Sequence, residues 1–253
     1  MSDAPAADYA VRILETLSKN PGMMGISDIS HESGINKNAV SRVLGALTDS
    51  GWVYQEGVKY QLTLKPFRLA SSAVGRVQFV SVAQPILNQL WEETGDSCYL
   101  GILQNDAVLY LAHLDSTHSI KIAGQVGSSY PLACTAPGKV LLAYASSKFR
   151  QRYLQECFPD RPEEVARLEE KLAQIRKDGF ATDVEEYGRG IICIAAPVFD
   201  LKGDVVCTIG ISTSTVYCDE PALIAGHGQN VISAAREISE KLGTEISPKG
   251  EEK

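Results

Sequence analysis

Residues 26–62 read ISDISHESGINKNAVSRVLGALTDSGWVYQEGVKYQL. The order of apolar, polar and glycine residues predicts a short helix, a tight turn, a second helix and a small β-hairpin. Gly34 lies where the first of these helices should end, at a position whose left-handed backbone suits glycine. With one more helix upstream, this order is typical of a winged helix-turn-helix, a fold that binds DNA.

The second helix of this stretch has an apolar and a polar face. Its apolar residues recur at the three- and four-residue spacing of one helical stripe: Val40, Val43, Leu44 and Leu47. The opposite face carries asparagine and arginine, which form bidentate hydrogen bonds with adenine and guanine, and Gly45, which suggests a close approach by another molecule. With Lys59 added from the hairpin, we expect DNA contacts from Asn36, Lys37, Asn38, Ser41, Arg42 and Lys59.

The flanking segments complete the predicted unit. An upstream helix is expected over Tyr9–Lys19, ending before Pro21. We expect Ser27 to cap a helix over Asp28–Ser33, Asn36 to cap the second helix, and residues 55–58 to form the hairpin loop. The alternative is that these helices only pack together, and that the polar face of the second helix is simply exposed to solvent. Residues 1–75 hold seven basic and seven acidic side chains, so DNA affinity must come from their placement or from dimerisation.

Length and charge set the domain organisation. The chain of 253 residues is long enough for a small and a medium domain. Its formal charge of −7 arises after residue 75, so we expect that part to contact neither DNA nor an anionic membrane. Without a membrane-spanning run or a signal-peptide pattern, a cytoplasmic protein is expected. The six cysteines include no CxxC pair and the histidines show no zinc spacing, so we predict no metal and no cofactor.

The remainder of the chain predicts an α+β domain. A linker helix is expected over Phe67–Val82, and its face of Leu69, Ala73, Val77 and Val80 could pair with a second copy or pack on its own domain. Strands and helices then follow in short runs, with a turn-rich stretch up to Tyr130 and a final helix over about Glu220–Leu242. Adjacent strand runs between helices favour an antiparallel sheet with helices on its faces. The predicted divisions are a DNA-binding domain over 1–64, a linker or dimerisation helix over 65–82 and a third domain over 83–253.

Three segments carry a family resemblance. They are GSSYPLACTAPGKVLLA at 127–143, DGFATDVEE at 178–186 and GIICIAAPVFD at 190–200. With the winged helix and the linker, they make residues 8–243 resemble the isocitrate lyase regulator (IclR) family of bacterial transcription factors. The resemblance implies a GAF-like effector domain over 83–253, a homodimer or dimer of dimers, and a small organic effector that alters binding to operator DNA.

The resemblance also implies a set of effector-contacting residues. Pro137 has no N–H to donate and Gly210 lacks the hydroxyl that several members carry, which disfavours a small keto acid. Aromatic acids, sugar acids and hydroxy acids remain open as effectors. Free N–H groups at the N-terminus of the helix that follows Thr135 could attract a carboxylate. The implied effector residues are Ala136, Pro137, Asp183, Cys193, Gly210 and Ser212.

Three functions are compatible with these patterns. The leading one is a transcriptional regulator, more often a repressor in this family, whose DNA binding responds to a small carboxylate-bearing metabolite. A thiol-dependent enzyme would use Cys98, Cys134 or Cys193 as nucleophile with His113 as base, but no local motif pairs a thiol with a histidine. A redox-sensing regulator would instead lose or gain DNA affinity when one of these thiols is oxidised.

Overall fold

The computed structural model describes residues 5–67 and 78–243. The chain divides into two compact units, Met1–Arg76 and Val77–Lys253. Within the described ranges, the longest helices are too short or too polar to cross a membrane.

The N-terminal unit is a winged helix-turn-helix, as predicted. Its helices pack through a core that includes the fully buried Ile13, Ile29, Val40 and Leu44, and its three strands pair antiparallel in the order β1-β3-β2. In chain order its elements are α1 Pro5–Lys19, β1 Met24–Gly25, α2 Ile26–Ser33, α3 Lys37–Asp49, β2 Val53–Glu56 and β3 Lys59–Leu62.

Two of the predicted helix signals are confirmed. Gly34 has the left-handed φ of 67° that ends α2, and the Asn36 side chain accepts a hydrogen bond from the N–H of Ala39 at 2.9 Å. The prediction that Ser27 caps α2 is wrong. The helix begins at Ile26, and the Asp28 carboxylate accepts a hydrogen bond from the N–H of Gly25 instead.

The hairpin is also tighter than predicted. Gln55 and Glu56, expected in the loop, pair with Tyr60 and Lys59, so only two residues form the turn. Strand β1, which the sequence did not indicate, pairs Met24 with Tyr60 at the other edge of β3. A two-residue strand has too little periodicity to be recognised, since tertiary pairing alone makes it extended.

The C-terminal unit is an antiparallel sheet between two helical layers. Six strands pair in the order β6-β5-β4-β9-β8-β7. Its elements are α4 Gln78–Thr94, β4 Ser97–Gln104, β5 Ala107–Leu114, β6 Ser129–Pro131, α5 Ala136–Tyr144, α6 Ser147–Cys157, α7 Pro162–Asp178, β7 Ala181–Val184, β8 Ile191–Phe199, β9 Val205–Ser214, α8 Glu220–Leu223, a π-helical segment Ile224–Gly228, and α9 Gln229–Lys241.

Alternate residues of the strands β4 and β8 enter different cores. Cys98 and Leu100 join the core beneath α4 and α9, whereas Tyr99 between them joins the core beneath α5, α6 and α7. The sheet is therefore buried on both faces, which explains why its strands read as continuous apolar runs.

Three boundaries differ from the prediction. Helix α4 runs without a break past Val82 and contains Pro85, so no element ends at the predicted linker boundary. Most of that predicted linker helix, including Leu69, Ala73 and Val77, lies outside the described residues. The single helix expected over 220–242 is divided by the π-helical segment, and β6 falls in a stretch predicted only as turns.

Candidate DNA-contacting face and effector cavity

The predicted DNA-contacting residues lie on the outside of the N-terminal unit. All six are exposed: Asn36, Lys37, Asn38, Ser41, Arg42 and Lys59. Five belong to α3 or its N-cap, while Val40, Leu44 and Leu47 on the opposite side of α3 are buried in the core. A Cβ on Gly45 would have no neighbour within 4 Å, so this turn of the helix is open to approach from outside.

The side chains on this face differ in what they can offer to DNA. Asn36 already uses its oxygen to cap α3, so its first role is structural. Neither Lys37 nor Arg42 forms a salt bridge within the part of the chain that the structure describes. Their charges are therefore free for phosphate or for base edges in a major groove.

A cavity of about 170 Å³ lies in the C-terminal unit, between the sheet and the N-terminus of α5. Four of the six implied effector residues line it, namely Pro137, Asp183, Cys193 and Ser212. Ala136 and Gly210 are buried but are not among its lining residues.

Gly210 is closely packed against a tyrosine and a backbone carbonyl. It lies on β9 opposite Tyr99 of β4, and a Cβ at this position would come within 2.5 Å of Tyr99 Oη. The same Cβ would also clash with the carbonyl oxygen of Ile194. Absence of a hydroxyl at 210 therefore reflects packing around the buried Tyr99 side chain.

Asp183 is the buried carboxylate of the cavity wall. Asp183 belongs to β7 and is 1% exposed. One oxygen accepts hydrogen bonds from the N–H of Glu186 at 2.9 Å and of Tyr187 at 3.3 Å. Burial raises the pKa of Asp183, because these two bonds and the nearby Lys139 offset only part of the cost of desolvation.

Lys139 and Glu186 form an ion pair beside Asp183. The Lys139 side chain is buried, and its Nζ lies 2.5 Å from Glu186 Oε1. Since Glu186 also donates its N–H to Asp183, this pair and Asp183 together hold the β7–β8 loop against the start of α5. That loop carries Tyr187 to the cavity.

Asp183→Asn should make the stability of the C-terminal unit less dependent on pH. A carboxyl group with a raised pKa binds its proton more tightly in the folded state, so the free energy of unfolding falls as the pH rises from 3.8, the ordinary value, through the raised pKa. Asparagine keeps an acceptor for the two N–H groups and does not ionise. Thermal melts between about pH 4 and 7 would measure this loss in the wild type against the variant.

Exposed Asp178 offers a matched control on α7. Asp178→Asn should follow the wild-type pH dependence. Identical pH profiles for the wild type and Asp183→Asn would contradict the assignment of a raised pKa to Asp183.

Aromatic rings form much of the remaining wall. Tyr110 and Tyr130 lie with ring centroids 4.4 Å apart, and Tyr130 meets Tyr187 edge-on at 5.7 Å. His113 also lines the cavity, and burial lowers its pKa and favours the neutral ring. No lysine or arginine is among the described lining residues, so Asp183 is the dominant charged group there.

The N-terminus of α5 offers little to an anion. Thr135 Oγ1 accepts the N–H of Gly138 at 3.1 Å, the Thr135 carbonyl accepts the N–H of Lys139, and Pro137 has no N–H. Of these first helical residues, that leaves the N–H of Ala136, which does not line the cavity. The prediction of an anion site at this terminus gains no support from these contacts.

The thiols do not resemble nucleophiles. Cys193 Sγ lies 3.0 Å from Ser212 Oγ, and burial raises the pKa of Cys193 and of Cys98 to about 12. Burial also raises the pKa of Cys134. A reactive thiol needs a lowered pKa, so these three residues favour neither a thiol enzyme nor a redox sensor.

Sequence reasoning missed the aromatic lining residues. Tyr110 comes from β5, Tyr130 from β6 and Tyr187 from the β7–β8 loop, and only the pairing of β5 with β6 brings the first two together. A tyrosine in a strand is common in any sheet, so no local signal distinguished these.

Comparison with known proteins gives the same organisation. The profile described as "IclR helix-turn-helix domain" matches residues 6–57, and "Bacterial transcriptional regulator IclR C-terminal" matches residues 71–240. The HTH-type transcriptional regulator KdgR of Escherichia coli is 33% identical over 227 residues, which cover 87% of this chain and 86% of KdgR.

Two further relatives extend the comparison. The repressor AllR of Escherichia coli is 27% identical over 252 residues, covering 97% of this chain and 93% of AllR. An IclR homologue from Microbacterium hydrocarbonoxydans, solved with 4-hydroxybenzoate, shares the fold with a TM-score of 0.80 at 20% identity, covering 94% of this chain and 98% of that one. The family matches to the two units and the relatives that span both units all point to one family. The chain therefore belongs to the IclR family of DNA-binding transcriptional regulators, which are not enzymes.

Proposed function

We propose that this protein is a repressor whose binding to operator DNA is altered by a small organic effector held in the Asp183 cavity. The observation that carries the proposal is the buried Asp183 carboxylate, which lines the cavity. Its Oδ1 accepts both hydrogen bonds from the β7–β8 loop, and the described residues donate no hydrogen bond to Oδ2. Such an oxygen can accept a hydrogen bond from a ligand hydroxyl. AllR, named as a repressor, supports the sign of regulation.

The lining of the cavity narrows the class of effector. Tyr110, Tyr130 and Tyr187 suit a flat or ring-shaped molecule, because aromatic faces pack against such groups. We propose a small hydroxylated ring compound that bears a carboxylate. Its hydroxyl would donate to Asp183, and its carboxylate would accept hydrogen bonds from neutral donors such as the Ser212 hydroxyl, since no cation is among the described lining residues.

Three related probes separate the two polar ends of such a ligand. They are 4-hydroxybenzoate, which the Microbacterium homologue binds, 4-hydroxybenzamide without the charge, and benzoate without the hydroxyl. Isothermal titration of the full chain should rank both hydroxylated probes above benzoate. Preference for benzoate, or loss of binding in Asp183→Asn with no preference for the hydroxyl, would contradict a hydroxyl contact with Asp183.

The proposed DNA-bound form is a symmetric homodimer or a dimer of dimers. Two copies of α3 would then enter successive major grooves of a near-palindromic operator. A dimer makes twice as many contacts with DNA, which would compensate for the lack of net positive charge in residues 1–75. Light scattering after size exclusion, with and without a DNA duplex, measures the number of copies directly.

Fluorescence anisotropy tests the DNA-binding part of the proposal. The purified full chain is titrated into the intergenic DNA upstream of its own gene, at two salt concentrations and with scrambled competitor. Competitor-resistant binding is expected, and binding equal to that of scrambled DNA would reject this operator. A reporter driven by the same promoter should rise in expression when the regulator is deleted, whereas a fall would identify an activator.

A further inference from the structure

Arg12 lies on α1 and is not among the predicted DNA-contacting residues, yet it contacts the turn of the helix-turn-helix. Its Nη2 donates a hydrogen bond to the carbonyl oxygen of Ser33, the last residue of α2. The same atom lies 3.3 Å from the place where a Cβ on Gly34 would be. The guanidinium therefore packs directly against the residue that ends α2.

This contact satisfies a group that a helix end leaves exposed. The last carbonyls of a helix have no intrahelical partner, and the helix dipole places partial negative charge on them. A guanidinium is a strong partner for such a carbonyl because its hydrogen bond is assisted by charge. The Asp8 carboxylate, one turn earlier on α1, lies 3.6 Å from Arg12 Nη1, so it orients the other nitrogen of the guanidinium.

The position of α3 depends on this turn. Only Gly34, Ile35 and Asn36 separate α2 from α3, and the Ile35 side chain is buried in the core. A shift at the end of α2 would therefore be passed to the start of α3, where Lys37 and Asn38 are exposed. Arg12 joins α1 to that end of α2.

We propose that Arg12 is a positioning residue for operator binding, one that sets the direction of α3 without touching DNA. The proposal rests on DNA binding by this winged helix-turn-helix. It differs from the usual role of an exposed arginine in such a unit, which is to bind phosphate. Its guanidinium is half exposed, so the experiment must distinguish the two roles.

Arg12→Gln tests the proposal, with Lys19→Gln as the matched control. Both changes remove one positive charge from α1, and Lys19 makes no ion pair among the described residues. At a temperature well below the melting points of both variants, Arg12→Gln should weaken operator binding about tenfold relative to Lys19→Gln. The slope of log Kd against log salt should equal that of the wild type, because no phosphate contact is lost.

Two further measurements keep the outcome decisive. Arg12→Lys, which keeps a charged donor, should recover most of the affinity, and it also serves if Arg12→Gln melts too low for the assay. Without DNA, amide exchange over residues 33–36 should be faster in Arg12→Gln than in Lys19→Gln. A salt slope shallower by about one counterion would identify a phosphate contact, and equal affinity with equal exchange would reject any positioning role. If the wild-type protein does not bind the duplex but residues 33–36 still exchange faster in Arg12→Gln, then the chosen duplex does not contain the operator. The exchange result still supports the positioning contact in that case.

Discussion

Gly210→Ser should lower the free energy of unfolding of the C-terminal unit by about 1–3 kcal/mol, because the added atoms overpack a closed site. The new Cβ would lie 2.5 Å from Tyr99 Oη and 2.7 Å from Tyr99 Cζ. It would also meet the backbone oxygen of Ile194, which cannot move without disturbing the pairing of β8 with β9. Chemical denaturation of the full chain, followed by circular dichroism, measures the loss.

Gly226→Ser provides the control for this prediction. A Cβ on Gly226, in the π-helical segment, would have no neighbour within 4 Å, so this variant should keep wild-type stability. Adding Tyr99→Phe to Gly210→Ser should recover part of the loss, since it removes the oxygen but leaves Tyr99 Cζ and the Ile194 carbonyl in place. Wild-type stability for Gly210→Ser alone would show that the strands adjust, and would contradict the prediction.

Arg42→Ala should cost about 1–3 kcal/mol of specific DNA binding, the range for an arginine that reads a base edge. Arg42 is exposed on the middle of α3, next to Ser41 and one turn from Asn38, and it is free of salt bridges within the described residues. Its planar guanidinium matches the two acceptors of guanine in the major groove. Anisotropy titrations against the specific duplex and a scrambled duplex measure the loss.

Lys37→Ala is the comparison for this prediction. Lys37 lies at the start of α3, where a phosphate contact is expected, so its loss should weaken both duplexes alike and make the salt slope shallower by about one counterion. Arg42→Ala should instead reduce the difference between the two duplexes. Equal weakening of both duplexes by Arg42→Ala would assign Arg42 to phosphate and leave base readout to Asn38 or Ser41.

The DNA-binding unit was the part most accessible to sequence reasoning. Its signals are local: the stripe of Val40, Leu44 and Leu47 buries one face of α3, Gly34 ends α2, and Asn36 caps α3. Each depends on residues within one or two helical turns, so spacing alone predicted which side would be exposed. Ser27 failed as a cap because the helix begins at Ile26, two residues earlier than expected, where Asp28 is the third helical residue and its carboxylate accepts the N–H of Gly25.

The cavity beside Asp183 required the tertiary structure. By resemblance, six positions were implied, and the structure places four of them on one cavity, whereas Gly210 is not among its lining residues and packs against Tyr99. Its aromatic wall follows from contacts between β5, β6 and the β7–β8 loop, and the described lining residues include no lysine or arginine. The tyrosines of this wall are far apart in the chain, and a tyrosine in a strand is common in any sheet.

By itself, the sequence therefore determined the winged helix-turn-helix, the exposed face of α3 and an α+β domain with an antiparallel sheet, because helix periodicity, caps and strand patterning act over a few residues. Only the tertiary structure decided that Asp183 is buried with a raised pKa, that Tyr99 fills the space beside Gly210, and that Arg12 bonds to the end of α2. Desolvation, packing and charge-assisted hydrogen bonding depend on which distant residues become neighbours, and that information exists only after the chain has folded.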